Sequence, residues 1–362
     1  MWKKFFPAMS SSTVLLALGL LNSCNFPDRA NGPEGKPQRQ EVYEIAKEKR
    51  GLVLDCESAA TQSPAKVAVI VKVTTSAGEP MTSLSCKDFV LFEDSLRISP
   101  TESAFRALNR PQDFHMSALL LLDLSGSIAG SDFDSLKLAT QQFIRNLFQS
   151  ATGSSLKTGI YWFDGGAKIN PWVDFTADTS RLQDYVKALK PELSTDRSTN
   201  LNGAIVAGLE TIKAEVKKQK MLFVSHGVLV LFTDGTDQAA RYTSQRAQSE
   251  IDTSGAAISV YTIGLGDEID LERLRAFGKD GFAFANKAGQ LSQKFAETAA
   301  HIQNNVKSRY LIEYCSPKRS GRHSLTVTAF EPLTRYRYGS VTVSFPADGF
   351  EGGCSLEEAC AN

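Results

Sequence analysis

The middle of the chain, residues 111–309, is predicted to be an α/β domain. Its expected core is a doubly wound, mainly parallel sheet, with a β-sandwich-like region formed by the N- and C-terminal segments that flank it. Three observations predict this. The stretches Ala118–Leu122 and Gly227–Phe232 are apolar runs bounded by turn residues and read as strands buried on both faces. Helical spacings of apolar residues alternate with such strands, which implies a parallel sheet covered on both sides. Residues 51–110 and 310–362 instead carry β-branched runs and turn signals, and neither segment has enough strands for a stable sandwich of its own.

A chain of 362 residues is long enough for more than one domain and a sizeable core. Its 40 basic and 40 acidic residues cancel, which argues against a general nucleic-acid binder. At the N-terminus, Lys3 and Lys4 precede a short apolar core, Thr13–Leu21, that ends in Leu21-Asn22-Ser23-Cys24. The core is too short to remain as a membrane-spanning helix. Its Leu-x-small-Cys ending resembles the lipobox of bacterial lipoproteins. That resemblance implies a signal peptide over residues 1–24 and lipidation of Cys24. The mature protein would then be held by lipid in the bacterial cell envelope, on the extracytoplasmic side (outer membrane or periplasm-facing if Gram-negative). The alternative is an ordinary signal peptide cut nearby, with Cys24 a plain thiol. Residues 25–50, rich at first in Pro, Gly and charge, read as a flexible tether, with a short helix expected over Glu41–Arg50.

In the first flank, Lys66–Thr75 and Phe89–Asp94 read as strands, with a turn at Ala77–Pro80. In the central domain, Phe133–Phe148 has its apolar residues at helical spacing, with Ser131 or Asp132 as candidate caps. Thr158–Phe163 and Lys168–Val173 read as a strand pair around Asp164-Gly165-Gly166. Helices are expected at Leu182–Leu189, Leu201–Lys218, Leu271–Phe277 and Leu291–Lys307, and strands at Ile258–Gly266 and Phe282–Ala285. The second flank offers strands at Tyr310–Tyr314, His323–Phe330 and Ser340–Phe345, which should pack with those of the first.

Three loops carry the candidate chemistry. The first strand ends in Asp123-Leu-Ser125-Gly-Ser127, the second in Thr233-Asp234-Gly235, and Ser198-Thr199-Asn200 precedes the helix beginning near Leu201. Asp123, Ser125, Ser127, Thr199 and Asp234 offer only hard oxygen ligands, which suit Mg²⁺, Mn²⁺ or Ca²⁺ better than a soft metal. In an open α/β sheet, ligand sites form beyond the carboxyl ends of the strands. Asp237, in the following loop, reads equally as a carboxylate near the metal or as a solvated loop residue.

These residues resemble the von Willebrand factor type A domain. Its metal-ion-dependent adhesion site has the pattern Asp-x-Ser-x-Ser, a distant Thr, and a distant Asp in Thr-Asp-Gly. The resemblance implies a non-enzymatic binding module. Ser125, Ser127 and Thr199 would ligate directly, and Asp123 and Asp234 directly or through water. The open coordination position would take an Asp or Glu of a protein partner, and closure around it can shift the last helix, here the one ending at Lys307. The order of strand, Gly-x-Pro turn, Leu84–Phe89 and strand resembles, more loosely, the β-rich segment before the A domain in a group of bacterial proteins. The alternatives are an envelope assembly or accessory subunit using the same site, or a metal-dependent hydrolase. Against the latter, Ser125 and Ser127 have no Gly-x-Ser-x-Gly elbow and no neighbouring His; a distant His226 or His301 could approach in the fold, but each reads as an ordinary structural or surface histidine.

None of the six cysteines falls in the central domain. An exported chain can hold disulfides. If the flanks pair, Cys56 or Cys86 should bridge to Cys315, Cys354 or Cys360. Zinc binding has little support, because there is no Cys-x-x-Cys pair and there are four histidines.

Overall fold

The computed structural model describes residues 43–99, 103–109, 114–128, 131–149, 155–218, 224–333, 335–356 and 360. The first flank forms β1 (Tyr43–Arg50), β2 (Leu52–Gln62), β3 (Lys66–Thr75), β4 (Phe89–Glu93), β5 (Leu96–Arg97) and β6 (Phe105–Leu108). The central domain runs β7 (Phe114–Asp123), α1 (Ser131–Gln149), β8 (Ser155–Phe163), β9 (Asn170–Thr176), α2 (Thr179–Ala188) and α3 (Leu201–Lys218). It continues through β10 (Val224–Thr233), α4 (Ser244–Asp252), β11 (Ile258–Leu265), α5 (Leu271–Phe277), β12 (Gly281–Ala285) and α6 (Leu291–Lys307). The second flank adds β13 (Arg309–Cys315), β14 (Arg322–Phe330) and β15 (Tyr338–Pro346).

The central sheet has the order β12-β11-β10-β7-β8-β9, parallel except for β9, which returns antiparallel to β8. Alternate residues of β7 enter opposite cores. Ala118, Leu120 and Leu122 pack with Phe133, Phe143 and Phe295 of α1 and α6, whereas Leu119 and Leu121 pack with Leu201, Ile205 and Leu209 of α3. This two-sided burial is why the strand reads as an unbroken apolar run. From β7 the chain moves outward to β8, then later returns to β10 on the other side. The crevice between β7 and β10 is therefore the switch point of the sheet.

The two flanks combine into one sandwich. One sheet has the order β1-β15-β14-β4-β5 and the other β2-β3-β13-β6, so each sheet mixes strands of both flanks: β1 pairs with β15, β4 with β14, and β3 and β6 with β13. Val67, Val69 and Val71 of β3, Ile312 of β13, and Leu325, Val341 and Phe345 of the opposite sheet share one core. Cys86–Cys360 joins the first flank to the C-terminal segment, as expected, whereas Cys315–Cys354 is confined to the second flank. Cys56 lies in the sandwich core and belongs to neither bridge.

Two expectations need correction. The helix expected over Glu41–Arg50 is instead β1, paired with β15 from Tyr43↔Ser344 to Arg50↔Tyr338, so the tether assigned to residues 25–50 does not include residues 43–50. The open edge of β15, distant in sequence, outweighs local helix propensity there, and a lysine-rich strand suits an exposed sheet edge. Ser131 and Asp132 are the first residues of α1 rather than its caps. Residues 1–24, with Cys24, lie outside the described residues.

Candidate metal site

Strand register assembles the site. Leu122 of β7 aligns with Phe232 of β10, which brings Asp123 level with Thr233 and Asp234 just beyond it. Asp123 is fully buried and accepts from the Thr233 hydroxyl at 2.6 Å and from the Ser125 amide at 3.0 Å. Thr199 arrives from the loop before α3 and donates to Ser125 Oγ at 2.9 Å; Ser125 Oγ lies 3.3 Å from Ser127 Oγ. Ser127 also hydrogen-bonds the Asp234 carboxylate. The structure thus brings all five predicted residues, Asp123, Ser125, Ser127, Thr199 and Asp234, into one connected cluster.

The Thr199 loop is fixed from both sides. Its carbonyl accepts from the amides of Gln238 and Ala239, and Asn200 next to it caps α3 by accepting from Gly203 N at 3.2 Å. A Cβ at Gly203 would come within 2.5 Å of the Asn200 amide, so glycine is needed for that cap. Asp237 is not simply solvated: it accepts from Asn202 N in the first turn of α3 and from Ala240 N.

The cluster is short of positive charge. Burial, reinforced by the charge of Asp234, raises Asp123 to about 7. Burial also raises Asp234 to about 6, against the hydrogen bond from Ser127, and Glu268 and Asp132 add to the rise. Asp234 Oδ1 is buried without a hydrogen-bond partner. An orphaned carboxylate oxygen beside a second buried carboxylate and three hydroxyls fits a hard divalent cation. Among the described residues, no three His, Cys, Asp or Glu side chains form a metal cage, so a cation here would rest on two carboxylates and neutral hydroxyls.

The sequence of this region matches one family. Residues 119–298 fit the von Willebrand factor type A domain. The chain contains a type A domain. Solved structures of similar fold include proximal thread matrix protein 1 from the mussel byssus, at 14% identity and TM-score 0.43, covering 53% of this chain and 49% of that one. Another is a von Willebrand factor type A protein from Catenulispora acidiphila, at 10% identity and TM-score 0.41, covering 84% of this chain and 75% of that one. A third is the pilus tip protein Mfa5 of Porphyromonas gingivalis, at 13% identity and TM-score 0.40, covering 53% and 96%. The chain thus spans about half the length of the mussel protein. No curated protein matches the chain.

Sequence reasoning missed one residue at the mouth of the type A domain's site. Arg197 is exposed, and its side chain lies across Gly126, where a Cβ would come within 2.6 Å of Nε. Arg197 O accepts from Gly126 N at 3.0 Å, and the guanidinium donates to Gly126 O at 3.4 Å. The signal available was its position two residues before Thr199, but nothing in the sequence says which way it turns. His226 and His301 are not at the site. His226 lies at the opposite end of β10 against Arg309, and His301 packs edge-on to Tyr261.

Proposed function

We propose that this protein is a membrane-anchored, extracytoplasmic binding module whose type A domain engages a partner protein's carboxylate through a divalent cation. Asp123, Ser125, Ser127, Thr199 and Asp234 would hold the ion. The observation that carries the reading is the buried, unpartnered Asp234 Oδ1 in a cluster whose two carboxyls are both raised by burial and by neighbouring carboxylates. When bound, Mg²⁺ (or Mn²⁺ or Ca²⁺) would keep positive charge over so lightly charged a ligand set and attract an incoming Asp or Glu. The chain's own residues prepare that role. Thr233 and the Ser125 amide fix the Asp123 carboxylate, while the Thr199–Ser125 hydrogen bond sets the spacing of two loops. A binding rather than catalytic role is supported by the placement of His226 at the far end of β10 against Arg309 and of His301 against Tyr261, away from the cluster.

Calorimetric titration with Mg²⁺ and Mn²⁺ tests this. Asp234→Ala should lose more than the roughly 10–100-fold in affinity that removal of an outer partner costs. Thr199→Ala should weaken partner binding more than metal affinity, because it removes a neutral ligand. Wild-type affinity in Asp234→Ala would reduce the cluster to a relic of the fold.

Anchoring belongs to the same proposal, through the lipobox-like Leu21-Asn22-Ser23-Cys24. Among the described residues no helix is long and apolar enough to cross a membrane. Stable attachment by lipid needs more than one acyl chain. The mature protein should therefore partition with membranes, and Cys24→Ser should block processing or release it. Mass spectrometry finding an unmodified Cys24 in the mature protein would rule the anchor out.

A further inference from the structure

The mouth of the site is electrically lopsided. On one side stands Arg197, from the loop before α3, laid over the Asp123–Ser127 loop between its two serines. Among the described residues no carboxylate oxygen lies within 4.0 Å of its guanidinium, so its charge is not spent on an internal ion pair. Arg241 follows on the same side, donating to Gly165 O at 2.8 Å, with Asp196 beside it as partial compensation. On the other side, Asp132 in the first turn of α1 and Glu268 between β11 and α5 are exposed, and their charges reach Asp234.

An arginine held this way is not accidental packing. A surface arginine usually keeps its freedom, because fixing a long side chain costs entropy. Here Gly126 leaves out the Cβ that would occupy the arginine's path, its amide donates to the Arg197 carbonyl, and the guanidinium donates back to the Gly126 carbonyl. The arginine side chain is thereby laid over Gly126, between Ser125 and Ser127 in the chain, with guanidinium donors to spare. Its planar fork matches a carboxylate better than any other side chain does.

We infer that Arg197 is a second anchor for the partner, and that the site recognises an acidic segment bearing at least two carboxylates rather than one isolated Asp or Glu. This rests on the metal-dependent reading above and adds the partner's chemistry to it. One carboxylate would go to the cation and a second to Arg197. Asp132 and Glu268 repel acidic side chains on the far side, so the segment's further acidic residues lie toward Arg197 and Arg241. Complementary charge of this kind sets orientation and association rate as much as affinity.

The test uses the protein from residue 25 onward with both disulfides formed, and two fluorescent probes. One is an oligo-glutamate peptide; the other has the same length with a single Glu among Gly and Ser. Binding is read by anisotropy in Mg²⁺ and in chelator, and Mg²⁺ affinity is measured separately by calorimetry. Wild type should favour the oligo-glutamate in Mg²⁺ by about tenfold, and Arg197→Ala should erase that preference while Mg²⁺ affinity stays within about threefold. Arg197→Lys should restore part of it, because charge remains but the fork is lost. Arg241→Ala should have a smaller effect, since Asp196 already offsets its charge. Two results would overturn the inference: an unchanged preference in Arg197→Ala, or no preference in a wild type that binds Mg²⁺ and both peptides. Absence of Mg²⁺ binding in the wild type would instead remove the metal-dependent reading itself, and the inference with it.

Discussion

Replacing Glu57 with Ala is expected to destabilise the protein by about 3–5 kcal/mol, the range for breaking one side of a buried ion pair. The pair joins two strands of the sandwich, and Arg309 extends it to the type A domain through Asn305 and His226. Arg309, the first residue of β13, is fully buried, and its guanidinium meets Glu57 of β2 through Nε at 2.6 Å and Nη2 at 2.8 Å. Nη1 donates to the carbonyl and side-chain oxygens of Asn305 in the last turn of α6, at 2.6 and 2.8 Å. His226 packs against the same guanidinium at 3.2 Å, and burial together with the Arg309 charge holds its pKa well below the usual value. A neutral imidazole there accepts from Arg309, whereas a protonated one would set two cations together. Without Glu57 the guanidinium keeps its charge and has no buried anion to face.

Urea unfolding of wild type, Glu57→Ala and the double variant Glu57→Leu/Arg309→Met measures the effect. The double variant should recover most of the loss, since exchanging a whole buried pair for apolar side chains is often neutral. A loss under about 1 kcal/mol in Glu57→Ala would mean that water reaches Arg309 and screens it. The same contacts bear on movement of the last helix. α6 passes into β13 through Ser308 alone, whose carbonyl accepts from Val73 N at 2.9 Å. Any sliding of α6 along its axis must break this bond or the Arg309 cluster.

The parts of this molecule that were legible in the sequence are those whose cause is local. An apolar run without alternation marks a strand buried twice, and the loop after such a strand lies at the sheet's carboxyl edge. Asp123 and Asp234 were therefore placed together from their own neighbourhoods, and parallel register did the rest. The strands of the two flanks paired as expected because neither half can bury its faces alone. What escaped has non-local causes. β1 has no clear period of its own and takes its conformation from the edge of β15, roughly 300 residues away. α4 buries only Ala247 and Ile251, too few apolar positions to show a helical stripe. Glu57 and Arg309 are 252 residues apart, and Arg197 is placed by its backbone and side-chain contacts with Gly126. No spacing rule joins either pair.

Stability in chelator should fall as pH rises from about 4 to about 7, and Mg²⁺ should reverse that fall. In the metal-free fold Asp123 keeps its proton up to about 7 and Asp234 up to about 6, whereas both lose it near 3.8 when unfolded. Folded values above unfolded ones mean that the folded state binds more protons across this window. The contribution to stability is then complete below the unfolded value and is lost as pH passes through the folded ones. Cation ligation needs the ionised carboxylates, so the gain from Mg²⁺ grows over the same interval. At a concentration of about 100 times its dissociation constant, the ion adds about 2.7 kcal/mol. Melting curves at about pH 5 and about pH 8, each in chelator and in Mg²⁺, should show a small separation at the lower pH and a large one at the higher. Asp123→Asn should flatten both profiles. Its amide oxygen can still accept from Thr233, so the 2.6 Å contact that holds β7 to β10 is retained while the charge is not. A variant that reproduced the wild-type pH profile would place the titrating group elsewhere. A Mg²⁺ shift equal at both pH values would show that ionisation of this cluster does not govern binding.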